Sequence, residues 1–214
     1  MKKTLITLLM LMGLCSGCNC SSKDKIRNIP KKENSTDVAT FQSPINADDL
    51  DKYLFRDDVQ YVDLREMSFV VSSGYIAGFE FIPYHSLIAS FSGENTLYKM
   101  VNKYDENGKL INAGTIGGFE PQYEESLQII KTLFDEDKYI FFVSQAGSEG
   151  SYMINLLIQL GYDGNKLYNI CGVVGTEGVA SYLSAGNKKY FIEGNTSLKV
   201  NASYSLKSNL TPIN

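Results

Sequence analysis

The sequence predicts an α/β fold, a single domain with a mainly parallel central sheet and helices on both faces. The stretch from Tyr139 to Val143 is almost wholly apolar and rich in aromatic and β-branched residues, which suits a strand buried on both faces. A polar loop, Ser144 to Gly150, follows it. From Ser151 the chain is apolar on nearly every side up to Gly161, as expected of a buried helix with glycine beyond its C-terminus. Strand, loop and helix make half of a βαβ unit, and the loop would lie at the carboxyl end of a parallel strand, where open α/β sheets bind ligands. The chain beyond its polar N-terminal stretch is about one domain in length, enough to bury a real core.

The chain begins with an address. Met1-Lys2-Lys3 is basic, Leu5 to Leu14 is an apolar run, and Cys15-Ser16-Gly17-Cys18 follows. A bilayer needs about twenty apolar residues, so this shorter run reads as the core of a signal peptide over residues 1–17. Ser16-Gly17 before Cys18 is similar to the bacterial lipobox, with Leu14 one place upstream of the usual leucine. The lipobox implies cleavage before Cys18 and acyl chains on it. The expected partner is then membrane lipid, and the expected location is the cell membrane, facing outside the cytoplasm. A plain secretory signal or an uncleaved anchor is the alternative.

Losing Lys2 and Lys3 with residues 1–17 takes the formal charge from −4 down by two, to −6. An acidic domain argues against nucleic acid as a partner. Residues 18–40 are polar without apolar periodicity and read as a flexible tether. Its basic residues, Arg27, Lys31 and Lys32 among them, suit anionic headgroups or simple solvation.

The folded domain is expected over residues 41–186. Ser43-Pro44 or Asn46 caps a short helix with Ile45, Leu50 and Leu54 inward, and Val59 to Val62 enters the sheet. Phe79 to Ile82 reads as a strand and His85 to Phe91 as a short helix. Residues 92–118 form an insertion over the pocket mouth, with a hairpin turn at Asp105-Glu106-Asn107-Gly108 joining Tyr98–Tyr104 to Lys109–Ile111. The glycines of Ala113 to Gly118 lack the Gly-Lys-Ser/Thr of a phosphate-binding loop. Pro121 opens a helix with Tyr123, Leu127, Ile130 and Phe134 on one face and Glu124 and Glu125 in its first turn. Leu167 to Ile170 is a further strand and Val179 to Leu183 a last short helix. Residues 187–214 form a C-terminal extension, with a hairpin expected around Glu193-Gly194-Asn195 and a loose tail.

Three segments together resemble the rhodanese-like sulfurtransferase family, over about Asn46 to Ser184. Tyr61-Val62-Asp63-Leu64-Arg65-Glu66 resembles its V-D-x-R-x motif. Gly74-Tyr75-Ile76-Ala77-Gly78, continuing to Ile82-Pro83-Tyr84, resembles its G-H-I-P-G-A-x-N-I-P segment. Ser144, Gly147, Glu149 and Gly150 stand where the family has C-x-x-G-x-R-S, and Cys171-Gly172 stands at its Gly-Gly turn. The resemblance implies a rhodanese-like sheet, with Cys171 one strand over from Ser144 at the carboxyl edge.

The family's loop cysteine carries sulfur as a persulfide, which a soft, low-pKa thiolate supports. Ser144 replaces that cysteine and Glu149 replaces the arginine, so the loop lacks both the nucleophile and the cation that would hold an anionic donor. A serine hydrolase would need His85, the only histidine, to reach Ser144. The expected function is therefore a lipid-anchored, non-catalytic binding or scaffolding module whose partner is a protein or a small anionic or sulfur ligand. The alternative is a sulfurtransferase with Cys171 as a relocated thiol, against Cys171 as an inert buried residue or a disulfide partner of Cys20. Asp63 and Arg65 are expected to brace the strand end. No cofactor and no metal site is expected.

Overall fold

The computed structural model describes residues 27–32, 43–112, 114, 118–174, 181–184, 189–200, 206 and 210–213, with Asn112 and Cys171 described by their backbone alone. The expectations for residues 1–17, for Cys18 and Cys20 and for most of the tether lie outside them, as does most of the Ala113–Gly118 run.

In chain order the strands and helices are β1 (Val59–Asp63), α1 (Met67–Ser73), β2 (Tyr75–Ile76), β3 (Glu80–Phe81), β4 (Ala89–Ser90), β5 (Tyr98–Met100), β6 (Lys103–Tyr104), β7 (Leu110–Asn112), β8 (Phe119–Pro121), α2 (Ser126–Leu133), β9 (Tyr139–Ser144), α3 (Ser148–Gln159), β10 (Leu167–Gly172) and β11 (Phe191–Ile192). The centre is a four-stranded parallel sheet in the order β10-β9-β1-β3. Val59 lies opposite Tyr139 and Asp63 opposite Val143.

Successive side chains of a strand point to opposite faces, so β9 feeds two cores. Ile140 and Phe142 pack with Val62, Leu64, Ile130, Phe134, Met153 and Leu157. Phe141 and Val143 pack with Val59, Tyr61, Ile45, Leu50, Ile76 and Tyr182. Both faces are covered, which is why the run carries no polar alternation. Helices α2 and α3 cover the first face. The second is covered by the Ile45–Tyr53 segment, with its 3-10 turn at Leu50–Lys52, and by β2. Gly161, with φ +97°, ends the α3 region as the sequence predicts.

Several local expectations are corrected. Pro121 ends β8 rather than opening a helix, because Phe119–Pro121 pairs antiparallel with β5. Helix α2 starts at Ser126, whose hydroxyl accepts the Tyr123 N–H at 3.1 Å and donates to the Leu97 carbonyl at 2.8 Å. Ile130 and Phe134 are buried, but Leu127 faces solvent. The chain at Tyr84–Ile88 is a π-helical turn that passes into β4, in place of a helix from His85 to Phe91. The Asp105–Gly108 turn does join a hairpin, but a shorter one, β6 with β7, since Tyr98–Met100 belongs to a separate sheet with β4 and β8.

The extension forms no hairpin of its own at Glu193-Gly194-Asn195. Phe191–Ile192 instead pairs antiparallel with β2, and the Asn195 N–H donates to the Val71 carbonyl. This needs close approach of two glycines. A Cβ on Gly74 would lie 2.7 Å from the Gly194 nitrogen. Of the expected helix at Val179–Leu183, only residues 181–183 are described, and they form a bridge and a turn.

Part of the tether also lies on the domain. The Arg27 carbonyl accepts from Arg56 Nη1 at 2.5 Å, and the Pro30 carbonyl accepts from the Tyr168 hydroxyl at 2.9 Å. Lys32 Nζ donates to the Gly164 and Leu167 carbonyls at 3.1 and 2.9 Å, and Ile29 packs against the second core. All these partners stand at the amino ends of the parallel strands.

Candidate functional site

The 144–150 segment sits at the opposite, carboxyl edge of the sheet and is less of a loop than the sequence suggests: only residues 145–147 lie between β9 and α3, because the helix starts at Ser148 and not at Ser151. Ser144 is the last residue of β9, lies opposite Gly172 of β10, and is fully buried. Its hydroxyl oxygen accepts the Gly147 N–H at 2.8 Å. The serine closes the turn. Gly147 has φ +93°, a left-handed conformation that costs a side-chain-bearing residue about 1–2 kcal/mol.

Asn169 of β10 braces the loop from below. Its Nδ2 donates to the Gly147 carbonyl at 2.9 Å and to Ser151 Oγ at 3.0 Å. A methyl group on Gly150 would overlap Asn169 Oδ1, so glycine there lets α3 settle onto the brace. Gly172 is packed as tightly, since a Cβ on it would meet the Gln145 carbonyl oxygen at 2.6 Å and Ala146 Cα at 2.8 Å. The Val173 N–H donates to the Ser144 carbonyl at 2.8 Å.

The side chains around the loop are mostly acceptors. Glu149 lies in the first turn of α3 with Oε1 3.8 Å from His85 Nε2, while its Oε2 is buried without a protein partner. Glu66, just past β1, accepts from Ser86 Oγ at 2.6 Å through Oε2, and its Oε1 is likewise buried and unpartnered. Gln145 Oε1 is a third such acceptor. Beneath them Tyr84 is fully buried, and burial, with Tyr152 and Glu149 nearby, pushes its hydroxyl far above the ordinary tyrosine range.

No family model, curated protein or solved structure matches this chain.

The fold brings the sequence-predicted residues Ser144, Gly147 and Glu149 together on one loop. It sets the backbone of Cys171 opposite Val143, one residue before the Gly172–Ser144 pair. His85 is paired with Glu149, an arrangement without the Ser–His contact of a hydrolase. Asp63 and Arg65 form a buried ion pair at the end of β1. Sequence reasoning had Gln145 only as a member of the loop and missed Ser86 and Asn169. Ser86 adjoins a residue already singled out, whereas Asn169 reaches the loop only through strand pairing.

Among the described residues, no group of three or more His, Cys, Asp or Glu is placed to hold a metal ion, and no helix is long and apolar enough to cross a membrane. A cavity of about 940 Å³ lies at the other edge of the sheet, lined among others by Arg27, Lys52, Phe55, Arg56, Asp57 and Tyr190.

Proposed function

We propose that this protein is a lipid-anchored, non-catalytic binding module built on a rhodanese-like domain. One observation carries the reading. The residue at the nucleophile position, Ser144, is sealed from solvent and its oxygen is committed to the Gly147 N–H. A hydroxyl so held has neither the low pKa nor the accessibility of a sulfur-carrying thiolate. Glu149 adds a carboxylate where an anionic sulfur donor needs a cation. A partner protein or small ligand is therefore bound and released unchanged. Acyl chains on Cys18 hold the module on the membrane without a spanning helix.

The test is sulfur transfer from thiosulfate to cyanide by the parent chain and by a Ser144→Cys, Glu149→Arg variant. No transfer by the parent chain is expected, and transfer by it would overturn the reading; the variant shows whether a thiolate at the sealed position reaches a donor at all. The anchor is tested separately by palmitate labelling, which is lost in Cys18→Ala. A second reading rests on the backbone register that sets Cys171 beside the end of β9. It makes Cys171 the sulfur carrier, with a mass gain of one sulfur atom that disappears in Cys171→Ala.

A further inference from the structure

We infer that residues 27–32 are a docked strap that stands the domain on the membrane with the amino edge of its sheet toward the lipid and the loop at 144–150 on the far side. This rests on the lipid anchor proposed above for Cys18.

The strap is fastened at three places along one edge. Its carbonyls at Arg27 and Pro30 accept from Arg56 and Tyr168, Lys32 donates to the carbonyls of Gly164 and Leu167, and Ile29 is packed against the second core. Lys32 Nζ also lies 5.7 Å from the centre of the Tyr168 ring, within cation–π range. Arg56 precedes β1 and is itself fixed by Asp58, at 2.8 and 2.7 Å, while Gly164–Lys166 form the 3-10 turn that enters β10. The fastening points are thus parts of the sheet's own frame.

Chain length then sets the geometry. A chain spans at most about 3.3–3.6 Å per residue, so the nine residues from Cys18 to Arg27 reach no more than about 30 Å. Measured to Ser43, where the described part of the domain begins, the same arithmetic gives a reach of about 85 Å. Docking cuts the reach to roughly a third and moves the attachment point to the amino edge. Strands of five and six residues at about 3.3 Å each put Ser144 and Glu66 roughly 17–20 Å further out. Attachment at the amino edge favours a loop that faces the aqueous side. The edge next to the anchor carries Arg27, Lys31, Lys52 and Arg56 interleaved with Asp51, Asp57 and Asp58, with Arg56 paired to Asp58 and Lys52 to Asp49, so the attachment point and not net charge turns it toward lipid.

Two measurements test this. In the first, trypsin cleavage after Arg27 and Lys31 is timed in the parent chain and in a Lys32→Ala, Tyr168→Phe variant, with thermal melting confirming that the variant stays folded. Cleavage at least tenfold slower in the parent chain is expected, and equal rates overturn the strap. In the second, the membrane-extracted protein is placed in vesicles carrying a dansyl-headgroup lipid. The chain has no tryptophan, so one introduced by Asp57→Trp at the amino edge or Ser68→Trp beyond the carboxyl end of β1 is the only indole donor. Stronger transfer from position 57 is expected, and equal transfer or the reverse order overturns the orientation. Intact mass separates the two ideas. A protein without acyl chains overturns the anchor and the orientation with it, while the trypsin result stands for the strap alone.

Discussion

Arg65 closes on Asp63, two residues earlier in the chain, in a two-point ion pair with side-chain exposures of 1% and 0%. Nε donates to Oδ1 at 2.9 Å and Nη2 to Oδ2 at 2.6 Å, while the Arg65 N–H also reaches Oδ1 at 3.1 Å. The remaining guanidinium donors meet the Gly74 carbonyl and Ser73 Oγ, so the pair ties the end of β1 to the end of α1. Removing one partner strands a buried charge. Arg65→Leu is expected to cost about 3–5 kcal/mol in urea unfolding. Asp63→Asn with Arg65→Leu should cost less than the two changes summed, and strict additivity would mean that the pair is not coupled.

The seat of the loop on β10 leaves no room for a methyl group at Gly172, because the atoms it would meet belong to the backbone of Gln145 and Ala146. Gly172→Ala is expected to destabilise by about 1–3 kcal/mol and to speed amide exchange in the loop. An unchanged melting temperature would show that the loop moves freely.

Phe142 is fully buried between β9 and the helices, against Phe134 with ring centres 6.1 Å apart. Phe142→Ala should therefore cost about 3–5 kcal/mol, read from the denaturant midpoint.

The Glu125 carboxylate holds the C-terminal segment by accepting from the Thr211 N–H and hydroxyl, both at 2.9 Å. The backbone bond from Thr211 is the first cause that lowers its pKa below the ordinary carboxylate value, followed by the hydroxyl bond. A lowered folded-state pKa means that the attachment is complete above the unfolded value and is lost as pH falls through the folded one. Protection of the Thr211 amide, followed by hydrogen exchange, should hold at neutral pH and decline below the ordinary carboxylate range. Glu125→Gln should weaken it at every pH.

The sheet was the legible part of this chain. A run such as Tyr139–Val143 reports burial on both faces directly, and the glycine after α3 marks the end of the helix. The loop at 144–150 was legible because strand, polar loop and helix follow one another locally. What stayed hidden depends on distant partners. Phe119–Pro121 is a strand because β5 lies beside it, and Phe191–Ile192 joins β2 because two glycines allow the approach. Asn169 gives no local sign that it will brace Gly147 across the fold. The strap over residues 27–32 is polar enough to read as tether. Two of its bonds come from the backbone carbonyls of Arg27 and Pro30, which side-chain composition does not report, and the Lys32 side chain finds its partners only through the fold.

The pairing of β1 with β9 joins Val59 to Tyr139, positions about 80 residues apart in the chain. The other two pairings of the sheet are more local, Val62 with Glu80 and Ile140 with Leu167, so the β1–β9 pairing is the one that carries the large closure cost. The same logarithm makes the intervening segment permissive. Closure entropy grows only as (3/2)RT ln n, so ten more residues at the Asp105–Gly108 turn would cost it roughly 0.1 kcal/mol. The Asp105–Gly108 turn is thus a place where the chain can be lengthened with the register of the central sheet held constant.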